Sequence, residues 1–224
     1  MSMNAVYRGP GDLPGVIPVF PLPGALLLPR GEMPLNIFEP RYLSMVDDAL
    51  KSGRIIGMVQ PEVPVGGGTP KVPSLHAVGC AGRITALAET GDGRYLLTLT
   101  GIARFRIVEE LPSLTSYRQC KVDFAAFPVD FEARAGEDAV DRPAVIRTLR
   151  DFVEANNLSI DWKGIDEASN EALVNALAMM SPFDVREKQA LLEAPDLRTR
   201  AEILIAITEM ELARGDDGSE TPLQ

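Results

Sequence analysis

Residues 17–42, IPVFPLPGALLLPRGEMPLNIFEPRY, restrict the fold more than any other stretch of this chain. Six prolines interrupt two short apolar segments, and proline neither continues a helix nor donates to a sheet ladder. The stretch therefore reads as short strand pieces joined at corners. At Phe38-Glu39-Pro40-Arg41-Tyr42 the pattern changes, and LSMVDDALKSG follows with helical spacing and a Ser52-Gly53 stop.

Strand signals dominate the next eighty residues. Arg54–Gln60 is a short apolar run, while Ala77–Glu89 and Tyr95–Val108 are long ones. The pair is separated by Thr90-Gly91-Asp92-Gly93-Arg94, whose Asp-Gly step suits a hairpin turn. Gly79, Gly82 and Gly101 mark expected bulges or bends, the devices that curl sheets toward closure. Phe105 and Ile107 alternate with Arg104 and Arg106, so the two arginines are expected on a solvated face. Ser116–Phe124 adds a weaker strand. Pro61–Ser74, with four prolines and three consecutive glycines, reads as an exposed loop.

After residue 131 the period becomes helical. Val145, Leu149, Phe152 and Val153 share a face within Ala139–Asn156; Leu173, Leu177 and Met180 do so within Glu171–Met180. Asp184 followed by Glu187 is a capping-box start for VREKQALLEA, and Asp196 caps LRTRAEILIAITEMELAR. The expected division is a β-rich unit over 14–131 and a helical unit over 132–214, with flexible termini at 1–13 and 215–224. The fold class is α+β: a curled sheet or pseudo-barrel carrying one helix, then helices.

Charge follows the same division. Lys+Arg and Asp+Glu balance over 1–131, so the whole net charge of −10 lies beyond it. Phosphate neutralisation leaves a basic footprint, which argues against nucleic acid and anionic membrane as partners. No window approaches ~18 uninterrupted apolar residues, so no membrane span is expected. The first residues lack the charged start and apolar core of a secretory signal. Cys80 and Cys120, both in strand-like contexts, read as buried free thiols in a reducing cytoplasm.

Several motifs in order resemble the amino-terminal, substrate-binding domain of the Lon family of ATP-dependent proteases. They are PVFPL at Pro18–Leu22, PLNIFEPRY at Pro34–Tyr42, VGCAGRI at Val78–Ile84, DGRY at Asp92–Tyr95 and GIARFRI at Gly101–Ile107. In the helical part they are KQALLE at Lys188–Glu193, with Arg200 and Leu204. The likeness runs roughly from 16 to 212. It implies a PUA-like β-subdomain and a role in recognising unfolded or flexible polypeptide, or a specific protein partner. Expected is a stand-alone member without the ATPase and peptidase modules.

The chemistry-bearing residues agree with a binding role. No G-x-x-x-x-G-K-[ST] phosphate loop occurs; Gly66–Lys71 is the nearest approach, with the wrong spacing and a proline at position 70. His76 has no nucleophile motif or spaced ligand cluster beside it, so no catalytic residue, metal site or cofactor is assigned. Asp47-Asp48 reads as solvated helix face. Arg41 has two readings, a structural bond to a carboxylate and a contact to a partner, while Phe38 and Tyr42 are expected to pack the helix onto the sheet. Val63, Val65, Val72 and Leu75 are candidate polypeptide-binding residues, being apolar in a Pro/Gly-rich loop; the competing reading tucks them against the sheet. The alternatives to a binding module are an unrecognised peptidase or hydrolase, and an RNA-binding PUA-like protein.

Overall fold

A computed structural model describes residues 5–62, 73–112 and 114–217, without the side chains of 215–217. Six strands come first: β1 (Val16–Pro21), β2 (Glu32–Ile37), β3 (Ile55–Val59), β4 (Val78–Glu89), β5 (Tyr95–Leu111) and β6 (Arg118–Asp123). Helix α1 (Pro40–Lys51) lies between β2 and β3. Five helices follow: α2 (Arg142–Ala155), α3 (Trp162–Glu167), α4 (Asn170–Met180), α5 (Val185–Glu193) and α6 (Leu197–Asp217). Helix α3 has no clear periodic signal in the sequence.

The sheet order is β2-β5-β4-β3-β1-β6, and β6 also pairs with β5. That last pairing closes five strands into a barrel and leaves β2 as an outer strand on β5. Length makes this possible. The first part of β5 pairs with β2 through Tyr95–Thr100, and its far end pairs with β6 through Arg106–Leu111. Strand β1 runs parallel to β3, the connection between them passing through α1. All other pairs are antiparallel.

Alternating residues of the five barrel strands fill the interior: Ile17 and Val19, Ile55 and Val59, Ala81, Ala103 and Phe105, Cys120 and Val122. A Cβ on Gly57 or Gly79 would stand 2.9 or 2.6 Å from the Phe105 ring, so two glycines open the space that one phenylalanine occupies. Both cysteines are free and buried.

The register of β4 on β5 passes from Ala81↔Ala103 to Gly82↔Gly101, skipping Ile102. This extra residue reverses which parity faces which side. Before it, Leu97 and Leu99 join the cluster that includes the helices; after it, Ala103 and Phe105 face the barrel interior. Arg104 is thereby turned under the helical part. It is 1 % exposed, so the expected solvated position is corrected; Arg106 is exposed as expected. Gly101 is also where the β1–β2 connection crosses: a Cβ there would lie 2.0 Å from the Leu28 carbonyl oxygen. Two backbone bonds, Arg30 N–H to Gly101 and Gly101 N–H to Gly31, both 2.8 Å, hold the crossing.

Helix α1 has Pro40 in its first turn and buries Tyr42, Met45, Val46 and Ala49, an i, i+3, i+4, i+7 face. Tyr42 meets Phe20 with ring centroids 4.2 Å apart. Phe38, expected to pack beside it, is 59 % exposed. Asp47 and Asp48 are more than solvated face: they accept hydrogen bonds from the Tyr95 and Tyr117 hydroxyls, both 2.9 Å, tying α1 to β5 and β6.

One apolar cluster continues from the barrel's outer face, through Met58, Val78 and Cys80, into Val145, Leu173, Val174, Leu191, Leu192 and Leu204 of the helices. Buried polar groups line this seam. Arg104 forms a two-oxygen pair with Asp130 and donates to the carbonyls of Leu192 and Ala194. Gln60 donates to the Val185 carbonyl and to Gln189, and Gln189 donates to the Val78 carbonyl and to Glu193. Lys188 reaches the Met179 carbonyl at the end of α4, where the helix dipole favours a cation. Arg200 donates to the Leu191 carbonyl and to Asn175. The KQALLE segment and Arg200 are thus the helical side of the seam. The capping box of Asp184 and Glu187 at the start of α5 forms as expected.

Candidate functional site

Barrel closure gathers four separated stretches into one groove of about 330 Å³. Pro21 and Pro23 come from the end of β1, Arg41 and Tyr42 from the first turn of α1, Pro61 and Pro73 from either side of the Pro/Gly segment, and Ser116, Tyr117 and Arg118 from the approach to β6. The register Val19↔Arg118 is what brings the last group beside the first. Proline has no N–H to donate, so the paired edges at Pro21 and Pro61 present rigid pyrrolidine surfaces here rather than further ladder donors.

Two guanidinium groups flank these surfaces. Arg41 pairs with Glu39 at 2.9 Å and stacks 4.6 Å from the centre of the Tyr42 ring. Arg118 holds Glu110 through two bonds, 2.6 and 2.5 Å, and donates to the Pro73 carbonyl at 2.9 Å. The hydrogen bond from Arg118 keeps the Glu110 carboxyl below its ordinary range, against partial burial. Burial raises the Tyr42 phenol, and burial with the bond to Asp48 raises that of Tyr117, so both rings stay neutral at physiological pH. The groove therefore offers flat apolar and aromatic walls with cationic edges. Apolar side chains stand nearby in the chain: Leu114, fully exposed, precedes Ser116 by two residues, and exposed Phe38 precedes Glu39.

Of the candidates read from the sequence, Arg41 lies in this groove. Leu75 does not: it is half-buried against the barrel-interior cluster and forms an isolated bridge with Pro61. Val63, Val65 and Val72 lie outside the described residues. Tyr117, Arg118, Pro21 and Pro23 carry no binding signal in the sequence: Pro21 and Pro23 belong to the proline-punctuated segment, but no local spacing ties them to residues nearly a hundred positions away.

Other chemistry is sparse. Among the described residues no group of three or more His, Cys, Asp or Glu could hold a metal ion, and no helix is long and apolar enough to cross a membrane. Burial raises both thiols, that of Cys120 to about 11, so neither is poised as a nucleophile.

A closed β-barrel with an outer strand, sealed on one side by a helical cap, defines the class: a two-part α+β domain. Residues 16–209 match the family described as ATP-dependent protease La (LON) substrate-binding domain, and this chain belongs to that family. It is similar to Lon protease 2 of Myxococcus xanthus, 26 % identical over 208 residues that cover 88 % of this chain and 24 % of that protein. The Lon protease of Syntrophus aciditrophicus (strain SB) is 27 % identical over 219 residues, covering 95 % and 27 %. This chain thus spans about a quarter of the length of the curated relatives it matches. Two solved structures share the fold. A Lon N-terminal domain protein from Xanthomonas campestris has a TM-score of 0.58 at 23 % identity, covering 85 % of this chain and 97 % of that one. The N-terminal domain of a Mycobacterium avium complex Lon protease has a TM-score of 0.60 at 17 % identity, covering 87 % and 98 %.

Proposed function

We propose that this chain recognises polypeptide and performs no chemistry of its own, acting in the cytoplasm on unfolded or flexible segments or on one protein partner. The observation that carries this reading is the groove beside Arg41. Its prolines and tyrosines present rigid, neutral, largely apolar walls, which suit extended polypeptide through side-chain burial and ring stacking. Arg41 and Arg118 at its edges add hydrogen-bond donors for backbone carbonyls or carboxylates. Family membership supports substrate recognition in general terms. The overall charge of −10 disfavours nucleic acid. Recognition needs no cofactor.

The test is fluorescence anisotropy of a labelled, permanently unfolded polypeptide titrated with the full chain, without nucleotide. Saturable binding that other unfolded chains compete for, and folded proteins do not, is the expected result. Absence of binding at high micromolar concentration would reject general recognition.

A further inference from the structure

A second cleft, of about 440 Å³, lies where the β1–β2 connection meets α4, away from the Arg41 groove. Apart from Glu32, its charged and amide lining is already engaged. Arg30 binds Glu171 and the Asp130 carbonyl, and the other Glu171 oxygen accepts from the Arg134 N–H at 2.9 Å. Arg134 itself pairs with Glu137 at 2.6 Å. Asn175 donates to the Pro29 carbonyl and accepts from Arg200. With these groups satisfied, the cleft gives a ligand mainly Ala172, Ala176, Met179 and Met180, the last 83 % exposed. Thioethers adapt their shape and sit well against aromatic rings.

Strand β2 runs directly out of this cleft, since Gly31 and Glu32 line it. Among the described residues β2 pairs only with β5, so its other edge carries unpaired backbone groups. Pro34 and the short length keep that edge from indiscriminate pairing. Glu32 is exposed with no ion pair among the described residues, on a chain of net charge −10. An apolar hollow, an open ladder edge and an uncompensated carboxylate lie in succession, and they complement an apolar side chain, an extended backbone and a cation respectively.

We propose that this cleft and the open edge of β2 form a second polypeptide site, taking an extended segment that carries one large apolar side chain next to a lysine or arginine. The inference rests on the reading of the chain as a polypeptide-binding module and assigns the sequence preference of a separate place on it.

The probe is a short capped peptide with a central Phe flanked by Thr and Lys, labelled for anisotropy and titrated with the full chain. Replacing its Phe by Ala, or its Lys by Glu, is expected to weaken binding about tenfold or more. N-methylation of the amides beside the Phe should do the same by blocking strand addition. Ala176→Glu, at an exposed helical position that tolerates the change, should weaken the peptide similarly, while Arg41→Ala leaves it within about twofold. In amide NMR spectra, shifts should concentrate on β2. Peptide binding that ignores both Ala176→Glu and N-methylation overturns the proposal. So does self-association abolished by Ala176→Glu without peptide binding, which would give the face to a second copy. If the peptide fails while unfolded polypeptide still binds in an Arg41-dependent way, this site alone is rejected; if both fail, the functional reading falls with it.

Discussion

The guanidinium of Arg104 and the carboxylate of Asp130 face each other through both oxygens, with their side chains only 2 % and 6 % exposed. Phe127 lies 4.5 Å beneath the guanidinium, and two carbonyls from the helical cap complete its shell. Removing one partner leaves the other charged, buried and uncompensated. Asp130→Ala is expected to cost about 3–5 kcal/mol, and replacement of both residues by apolar ones of similar volume far less. Urea unfolding of the single and double variants checks this; equal losses would contradict it.

The Gln60–Gln189 contact makes a related, smaller contribution. Gln189→Ala removes the acceptor of the Gln60 amide and the donor to the Val78 carbonyl and Glu193, leaving buried groups without partners. A loss of about 1–3 kcal/mol is expected. An unchanged unfolding midpoint would show that the seam relies on its apolar contacts alone.

Gly101 tests the crossing of the β1–β2 connection over β5. Alanine there has its Cβ on the Leu28 carbonyl, and neither β5 nor the connection yields without losing the paired bonds to Arg30 and Gly31. Destabilisation of about 3 kcal/mol or more is expected, at the upper end of overpacking. Thermal unfolding reads it, and Gly15→Ala, where nothing lies within 4 Å, is the control.

Stability should fall in acid. The backbone N–H of Thr199 lowers the Asp196 carboxyl, the Tyr117 hydroxyl lowers Asp48, and Arg118 lowers Glu110. Each carboxyl is depressed when folded, so the unfolded chain binds more protons in acid. Their stabilisation is present above the unfolded value near ~4 and is lost as pH falls through the folded one. Asp196→Ala should lower stability at neutral pH by about 1 kcal/mol through loss of the cap of α6, and should flatten the acid limb. Denaturant midpoints measured between neutral pH and acid decide it; an acid limb as steep as in the parent chain would be the contrary result.

Arg41→Ala separates recognition from folding. The side chain is exposed and meets only its near neighbours Glu39 and Tyr42 among the described residues, so stability should change by no more than ~0.5 kcal/mol. Affinity for unfolded polypeptide should fall several-fold. Calorimetric unfolding and anisotropy on one preparation test both halves of the statement.

What the sequence made legible was local. The Asp92-Gly93 hairpin appears with positive φ at Gly91 and Gly93, and Asp184 with Glu187 caps α5. The face of α2 containing Val145 and Leu149 is buried as its period required. Alternation put Arg104 opposite Phe105, as found, but did not foresee its burial: the helical carbonyls that cover this face at Arg104 and leave Arg106 exposed lie far down the chain, where no local period records them. The Arg41 groove was legible only in Arg41 itself. Its other walls meet through β1–β6 pairing and barrel closure, which are long-range events without a local period. Asp47 and Asp48 looked like solvent-facing charge because their tyrosine partners lie 48 and 69 positions away.

The placement of Arg104 also has a consequence in time. A ribosome releases β5 well before α5, and the carbonyls that Arg104 will meet lie 88 and 90 residues downstream. Until they emerge, a nascent barrel presents Met58, Val78 and Cys80 to water around a cation still holding its hydration shell. That interval is when the growing chain is most exposed to aggregation. If it captures other polypeptides as proposed, the protein would thus pass through a stage, during its own synthesis, at which it is itself a chaperone's client.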